Sequence, residues 1–363
     1  MKNSLAFRCW SLALLLCTGA AQATPTACEN PGGGELEPVL AAVARLHSAL
    51  TAPQLALLER PLTRENATRW SNLPVGVVPR AGLRLGDLDE KQAAAARAVF
   101  ETALSPCGLK MLDDVRHADD FLIPLDARPI GWDGRNYYLS VLGQPSAHKP
   151  WMLQLGGHHL AYNFTFNARK PGATPLFFGT EPIRFELQGV SYEPLKVQST
   201  SMRNLAVAIA GYSQAKLSGT FTDVVKGVEV TPVPGQLPKG GTDTGFPQTY
   251  PAGTNDRGVP YSALNPAEQA LVRTALRSYA SLPGAAVSQP LLAAYESSDA
   301  LRETYVGYAG ATDLGEKGSY VRIDGPRIWM EFVVQPAVAK PSENHYHALW
   351  RDKQSDYGGE VGH

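Results

Sequence analysis

Charge of either sign is scarce in this sequence. Its 363 residues carry a formal net charge of −1, and only 18% of them are Asp, Glu, Lys or Arg. A protein that binds nucleic acid or an anionic membrane surface normally presents a basic stripe. No such stripe occurs here, so the sequence argues against a nucleic-acid partner and leaves an unidentified small molecule as the expected ligand.

The common catalytic motifs are also lacking. We find no G-x-S-x-G, no Walker A loop, no G-x-G-x-x-G after a predicted strand, no C-x-x-C and no H-E-x-x-H. These motifs mark the commonest serine hydrolases, nucleotide-binding proteins, thiol redox proteins and zinc proteases. A functional site must therefore be sought in less regular patterns.

Long apolar runs are confined to the N-terminus. Lys2 and Arg8 form a positive region before an apolar stretch from Cys9 to Ala20, which is followed by the small-residue site Ala21-Gln22-Ala23. This is the pattern of a cleavable signal peptide. The stretch is shorter than the roughly 18 residues that a spanning helix needs. We predict cleavage near Ala23, export to the periplasm or the medium, and no membrane span in the mature chain.

Cysteine is rare, with four residues in the whole chain. Cys9 and Cys17 lie in the predicted signal peptide, which leaves Cys28 and Cys107. A single pair in an oxidising compartment most simply forms a disulfide. The alternative is two free thiols that serve as metal ligands or nucleophiles.

Apolar periodicity predicts helices on both sides of a strand-rich middle. Ser105-Pro106-Cys107-Gly108 is expected to end the second helix, and Asn265-Pro266 to cap the fourth. Helices are predicted over residues 36–50, 90–104, 202–215, 265–280 and 291–296.

Strands are predicted over residues 137–142, 151–166, 320–323 and 327–334. The last two form a hairpin around the turn-prone dipeptide Asp324-Gly325. This order predicts an α+β fold: a single large domain with a mixed, largely antiparallel sheet and flanking helices. Residues 227–260 are rich in Gly and Pro without an apolar period, which predicts a long surface loop, a lid or a disordered excursion.

Histidine supplies the densest chemistry. His345 and His347 have the i, i+2 spacing that places two side chains on one face of a strand, where both could bind one ion. His158 and His159 are adjacent, so on a strand only one of them would join the same site. If the two segments meet, three imidazoles could form a catalytic metal site with an open position for zinc, copper or iron. The alternative for each cluster is structural histidine. His363 is left out because it follows a glycine-rich end.

A carboxylate could complete this site or act as a general base. The first candidates are Asp352 and Asp356, with Glu181 and Glu331 as others. Arg351 could bind a substrate carboxylate or phosphate through two parallel hydrogen bonds, or form a structural ion pair with Asp352. The predicted reaction of such a site is hydrolytic or oxidative.

Two other functions remain open. A non-catalytic periplasmic binding or scaffold protein would use aromatic side chains to line a pocket and an arginine to orient the ligand. A metal-free hydrolase would need a buried serine beside a histidine. The residues considered for the binding pocket are Trp151, Trp329, Trp350, Tyr346, Arg327 and Arg351.

Several long motifs resemble one bacterial family. They are Gly156-Gly157-His158-His159-Leu160 with Asn163-Phe164-Thr165, then Phe178-Gly179-Thr180-Glu181-Pro182, Ile323 to Phe332, and His345 to Gly359. Together they resemble the proteins grouped as domain of unknown function 3500, over nearly the whole mature chain. The resemblance implies one domain rather than two. It assigns no catalytic residues, because the family is functionally uncharacterised.

Overall fold

The computed structural model describes residues 28, 35–125, 130–167, 170–218, 221, 224, 250, 253 and 256–359. The predicted signal peptide, most of the segment 227–260 and His363 lie outside the described residues. None of the helices in the described part is both long and apolar enough to cross a membrane.

The predicted α+β fold is confirmed. The strands are β1 (Glu59–Arg60), β2 (Leu83–Arg84), β3 (Tyr138–Leu142), β4 (Trp151–Gly157), β5 (Leu160–Phe166), β6 (Leu176–Thr180), β7 (Phe185–Leu187), β8 (Val190–Tyr192), β9 (Val259–Pro260), β10 (Tyr305–Ala309), β11 (Tyr320–Asp324), β12 (Ile328–Pro336) and β13 (Asn344–Asp352). The helices are α1 (Leu36–Ala49), α2 (Ala52–Leu58), α3 (Arg64–Ala67), α4 (Glu90–Ala103), α5 (Pro106–Leu122), α6 (Lys196–Ile209), α7 (Pro266–Ala280), α8 (Ala285–Tyr295) and α9 (Ser298–Arg302).

One large sheet organises the molecule. Its strand order is β1-β3-β4-β5-β6-β13-β12-β11-β10-β9, and β2 adds to β3. All pairs are antiparallel except β1 with β3. The strand β13 comes last in the described sequence, yet it lies in the middle of the sheet between β6 and β12. It therefore joins the N-terminal and C-terminal halves of the fold.

The two faces of the sheet have different neighbours. Phe178 packs against Tyr279 of α7, with ring centroids 4.8 Å apart. The adjacent Phe177 points the other way and contacts His347 at 5.0 Å. This alternation follows from the two-residue period of a strand. The helix-covered face holds the main apolar core, and the opposite face carries His345 and His347.

The segment after α4 differs from the prediction. Ser105-Pro106 does not simply end a helix, because it starts α5. The Ser105 hydroxyl accepts from the backbone N of Gly108 at 3.1 Å, and Pro106 occupies the first helical position. A proline there has no backbone N–H to leave unpaired. The sulfur atoms of Cys107, in the first turn of α5, and Cys28 lie at disulfide-bonding distance, with Cα atoms 5.6 Å apart.

The region 151–166 also differs from the single long strand that was predicted. It forms the hairpin β4–β5, and His158-His159 is the turn between the two strands. The glycine pair before the turn allows close packing: a Cβ on Gly157 would lie 2.8 Å from the Tyr137 ring. Strand alternation, which was predicted to separate the two histidines, therefore does not do so, since neither lies within a strand.

Candidate metal centre

Three buried histidines converge on the face of the sheet opposite the main apolar core. His345 and His347 project from β13, and their Nε2 atoms are 3.1 Å apart. His159 joins them from the β4–β5 turn, and one ligand nitrogen from each residue lies within 4.8 Å of the others. Two nitrogens that bind one zinc tetrahedrally at about 2.1 Å are roughly 3.4 Å apart. The three residues can therefore hold a metal ion; we call them the histidine triad.

Local backbone structure places His159 in this group. Its φ of +56° is left-handed, a conformation that costs a non-glycine residue about 1–3 kcal/mol and that clusters at functional sites. Two hydrogen bonds fix it: the His159 N donates to the Asn72 carbonyl at 3.1 Å, and the Gly179 N donates to the His159 carbonyl at 2.7 Å. The turn is thus fixed between the loop at Asn72 and strand β6.

Arg80 ties the Asn72 loop to β4. Its guanidinium donates to the carbonyls of Ser71 at 2.7 Å, of Leu73, and of Gly157 at 3.3 Å. Burial lowers the pKa of Arg80 to about 10. The arginine therefore has a structural role behind the histidine turn.

Gly179 leaves the space that two of the imidazoles occupy. It pairs with His347 across β6 and β13. A Cβ at this position would lie 2.9 Å from Cδ2 of His347 and 3.1 Å from Cδ2 of His159. It would also lie 2.7 Å from the Tyr346 carbonyl, which the sheet holds in place.

Replacing Gly179 by alanine should therefore weaken metal binding by about tenfold or more, because it moves two ligands while removing none. Titration of the metal-free variant with zinc measures the effect. The matched control is Gly211→Ala, since a Cβ at Gly211 has no atom within 4 Å. Equal zinc affinity of the two variants would show that the triad does not depend on this space.

The protonation state of two triad members, His159 and His345, favours metal binding. Burial, followed by His158 and the other triad members, holds the pKa of His159 well below its usual range. Burial, followed by His347, lowers the pKa of His345 to about 2. Both imidazoles are therefore neutral near pH 7, and neutral imidazole is the form that binds metals.

His158 takes a separate position beside the triad. Its ring stacks on His159 with centroids 3.8 Å apart, and its Nδ1 lies 2.6 Å from Oδ1 of Asp119 on α5. The Tyr137 hydroxyl lies 3.1 Å from Oδ2 of the same carboxylate. A carboxylate at Nδ1 favours the tautomer with the proton on that atom, which leaves the lone pair on Nε2. His158 can then accept a hydrogen bond from a molecule beside the triad.

A cavity of about 700 Å³ opens onto the triad. Most of its accessible wall is apolar, but four histidines and the polar side chains of Asn72, Glu181, Lys317 and Gln335 also line it. Glu181 lies on this wall, with one carboxylate oxygen accepting from the backbone N of Ala339. No serine or cysteine is among the described residues that line it. The lining residues are Asn72, Leu73, Pro74, Val77, Ile130, Trp132, His158, His159, Glu181, Phe221, Lys317, Gly318, Val334, Gln335, Pro336, Val338, His345 and His347.

The structure does not bring Asp352, Asp356 or Arg351 to the triad. They lie at the other end of β13, where five residues at about 3.3 Å each put Asp352 roughly 16 Å from His347. Asp352 accepts from Tyr295 at 2.9 Å and from Arg327 at 2.6 Å.

Arg351 forms its ion pair with Asp356. The sequence had suggested Asp352 as its structural partner. Its Nε and Nη2 each lie 2.8 Å from Oδ2 of Asp356. Glu331 is also occupied elsewhere, since it accepts from the Tyr320 hydroxyl at 2.5 Å. Of the four carboxylates considered from the sequence, Glu181 alone shares the cavity with the triad.

The aromatic residues considered for a binding pocket are dispersed. Trp151 stacks on Phe166, and Trp350 packs against Tyr295. Trp329 contacts Tyr250. None of the four aromatic residues predicted for this pocket lines the cavity beside the triad. The cavity instead uses Trp132.

Sequence reasoning missed three residues near the triad: Asp119, Asn72 and Trp132. Asn72 lies in the segment Trp70-Ser71-Asn72-Leu73-Pro74, which carries no metal-binding pattern. Asp119 belongs to a helix that was not predicted. Only the folded chain shows that α5 passes behind the histidine turn.

Comparison with known proteins gives a family and nothing finer. No curated protein and no solved structure matches the chain. Residues 33–359 match the family model described as protein of unknown function, DUF3500. That match covers nearly the whole chain and confirms the resemblance drawn from its motifs. The chain belongs to the DUF3500 family.

Proposed function

We propose that this protein is an exported, metal-dependent enzyme whose metal is held by His159, His345 and His347. One observation carries the proposal: one ring nitrogen from each of three buried histidines lies within 4.8 Å of the others, at the wall of a cavity. Three protein nitrogens with a fourth position open to a substrate is the arrangement of catalytic zinc sites. Zinc-assisted hydrolysis is the reaction that this donor set supports best.

The cavity wall supplies groups that such a reaction needs. A metal-bound water loses a proton more easily than free water, and a neighbouring acceptor must orient it. His158, oriented by Asp119, and Glu181 are the two candidate acceptors on the wall. Asp352, Asp356 and Arg351 are not part of this proposal, because they lie at or just beyond the far end of β13.

Metal analysis of the purified, untagged mature protein tests the proposal. After growth with zinc, copper, iron and manganese, we expect about one equivalent of a single transition metal, and zinc for a hydrolase. Copper or iron at that level would instead support the oxidative chemistry of a histidine site. Less than about a tenth of an equivalent of any transition metal would overturn the metal-dependent function.

Export is a separate part of the proposal. The N-terminal pattern and the Cys28–Cys107 pair at disulfide-bonding distance support it, because such pairs persist in oxidising compartments. Mass spectrometry of the protein recovered outside the cytoplasm should find an N-terminus just after Ala23. Recovery of the full-length chain in the cytoplasm alone would contradict it.

A further inference from the structure

The cavity beside the histidine triad has the size and the wall of a small-molecule site. Its volume of about 700 Å³ falls within the roughly 300–1,000 Å³ that is typical of such sites. Most of its accessible wall is apolar, and its apolar lining residues come from separate parts of the chain, among them Leu73, Val77, Ile130 and Val338. The triad lines the same cavity. A molecule bound there therefore meets the metal ligands and an apolar wall together.

The wall offers little to a charged ligand. Its two charged residues, Glu181 and Lys317, have opposite signs. Glu181 is only 2% exposed and accepts from the backbone N of Ala339, and Lys317 donates to the Pro341 carbonyl at 3.3 Å. The described lining residues include no arginine, the side chain that binds a carboxylate or phosphate through two parallel hydrogen bonds.

A highly hydroxylated ligand such as a sugar also suits this wall poorly. Hydroxyl groups that leave water need new hydrogen-bond partners. Among the described lining residues there is no serine, threonine or tyrosine, and the side-chain amides are those of Asn72 and Gln335. Apolar groups, in contrast, are stabilised when they leave water for an apolar wall.

We propose that the substrates of this site are uncharged, largely apolar molecules with one polar group, which binds the metal while the apolar part packs on the wall at Val77 and Val338. These two valines line the cavity and are 50% and 55% exposed, so both have apolar surface that a ligand can cover. The inference rests on the proposed function for the metal but not for the apolar wall.

Hydroxamates of different chain length test the ligand class in the zinc-loaded protein. Acetohydroxamate and octanohydroxamate bind zinc through the same group and differ by six methylenes. Each methylene that leaves water for an apolar wall strengthens binding about fourfold, so octanohydroxamate should bind at least about a hundredfold more tightly in calorimetry. Suberic acid monohydroxamate has the same chain length but ends in a carboxylate, and it should bind about tenfold or more weakly than octanohydroxamate because that charge loses its water.

Two results would overturn the ligand class. A gain of less than about tenfold from acetohydroxamate to octanohydroxamate would show that the wall does not take up the alkyl chain. Equal or tighter binding of the carboxylate probe would show that the site accepts a charge beyond the metal.

A double variant tests whether the alkyl chain lies on the proposed wall. Val77→Asn combined with Val338→Asn changes two half-exposed side chains, and it should weaken octanohydroxamate about fivefold or more while leaving acetohydroxamate unchanged. The matched control is Val207→Asn, because Val207 is 54% exposed and lies on α6 outside the cavity. Equal octanohydroxamate affinity in the double variant and the control would place the chain elsewhere and reject the assignment.

The metal and the ligand class fail independently. In the metal-free protein octanamide and acetamide replace the hydroxamates, so the wall is measured without the ion. Preference for octanamide in a protein that takes up no metal would keep the ligand class and reject the enzyme, leaving a binding protein. A loaded zinc site without any preference for the longer chain would keep the metal centre and reject the ligand class.

Discussion

Replacing His345 or His347 by alanine should lower zinc affinity by about a hundredfold or more. Each substitution removes one of three protein ligands, and even loss of an outer hydrogen-bond partner costs 10–100-fold in metal affinity. Only two protein nitrogens would then remain to bind the metal. Competition titration against a fluorescent zinc chelator measures the constant for each metal-free variant.

His148→Ala is the matched control, because His148 is exposed and lies outside the cavity. Its affinity should equal that of the native protein. Asp352→Asn should also leave the affinity unchanged, since Asp352 lies at the far end of β13. Native affinity in both triad variants would contradict the assignment of the ligands.

Replacing Arg351 by leucine should reduce the free energy of unfolding by about 3–5 kcal/mol, the cost of breaking a buried ion pair. Arg351 is fully buried and Asp356 is 4% exposed. The substitution would therefore leave the Asp356 carboxylate buried without its ion-pair partner. Burial already raises the pKa of Asp356, and Arg351 opposes that rise. Urea unfolding of native and variant protein gives the difference.

The exposed pair Arg302–Asp299 provides the comparison, since both side chains are more than half exposed. Arg302→Leu should change the unfolding free energy little, because water screens exposed ion pairs. The zinc affinity of folded Arg351→Leu should match that of the native protein. A large loss of zinc affinity with unchanged stability would instead indicate that Arg351 acts in the functional site.

Local sequence patterns predicted much of the fold. The cap at Asn265 and the turn at Asp324-Gly325 depend on neighbouring residues, and α7 and the β11–β12 hairpin confirm both. The helix α5 was missed because Ser105-Pro106 is compatible both with the end of one helix and with the start of the next. Deciding between them requires knowing what the following residues pack against.

The triad was only partly predictable. The H-x-H spacing on a strand gives two nitrogens directly. The third depends on a left-handed turn at His159 and on the space at Gly179, and neither follows from residue spacing. Asp352 and Asp356 were the first carboxylates considered for the triad, and both are close to His347 in sequence. Residues that are close in sequence lie far apart in space on an extended strand, because each residue adds about 3.3 Å.

The central position of β13 has a consequence for biosynthesis. A growing chain contains every other strand of the sheet before it contains Asn344–Asp352. Until then the two halves of the sheet have no strand between them, and a single triad histidine, His159, has been made. In the proposed metalloenzyme, metal uptake would therefore follow completion of the fold. With the proposed export, the bound ion would be one that is available where folding ends, not where translation begins.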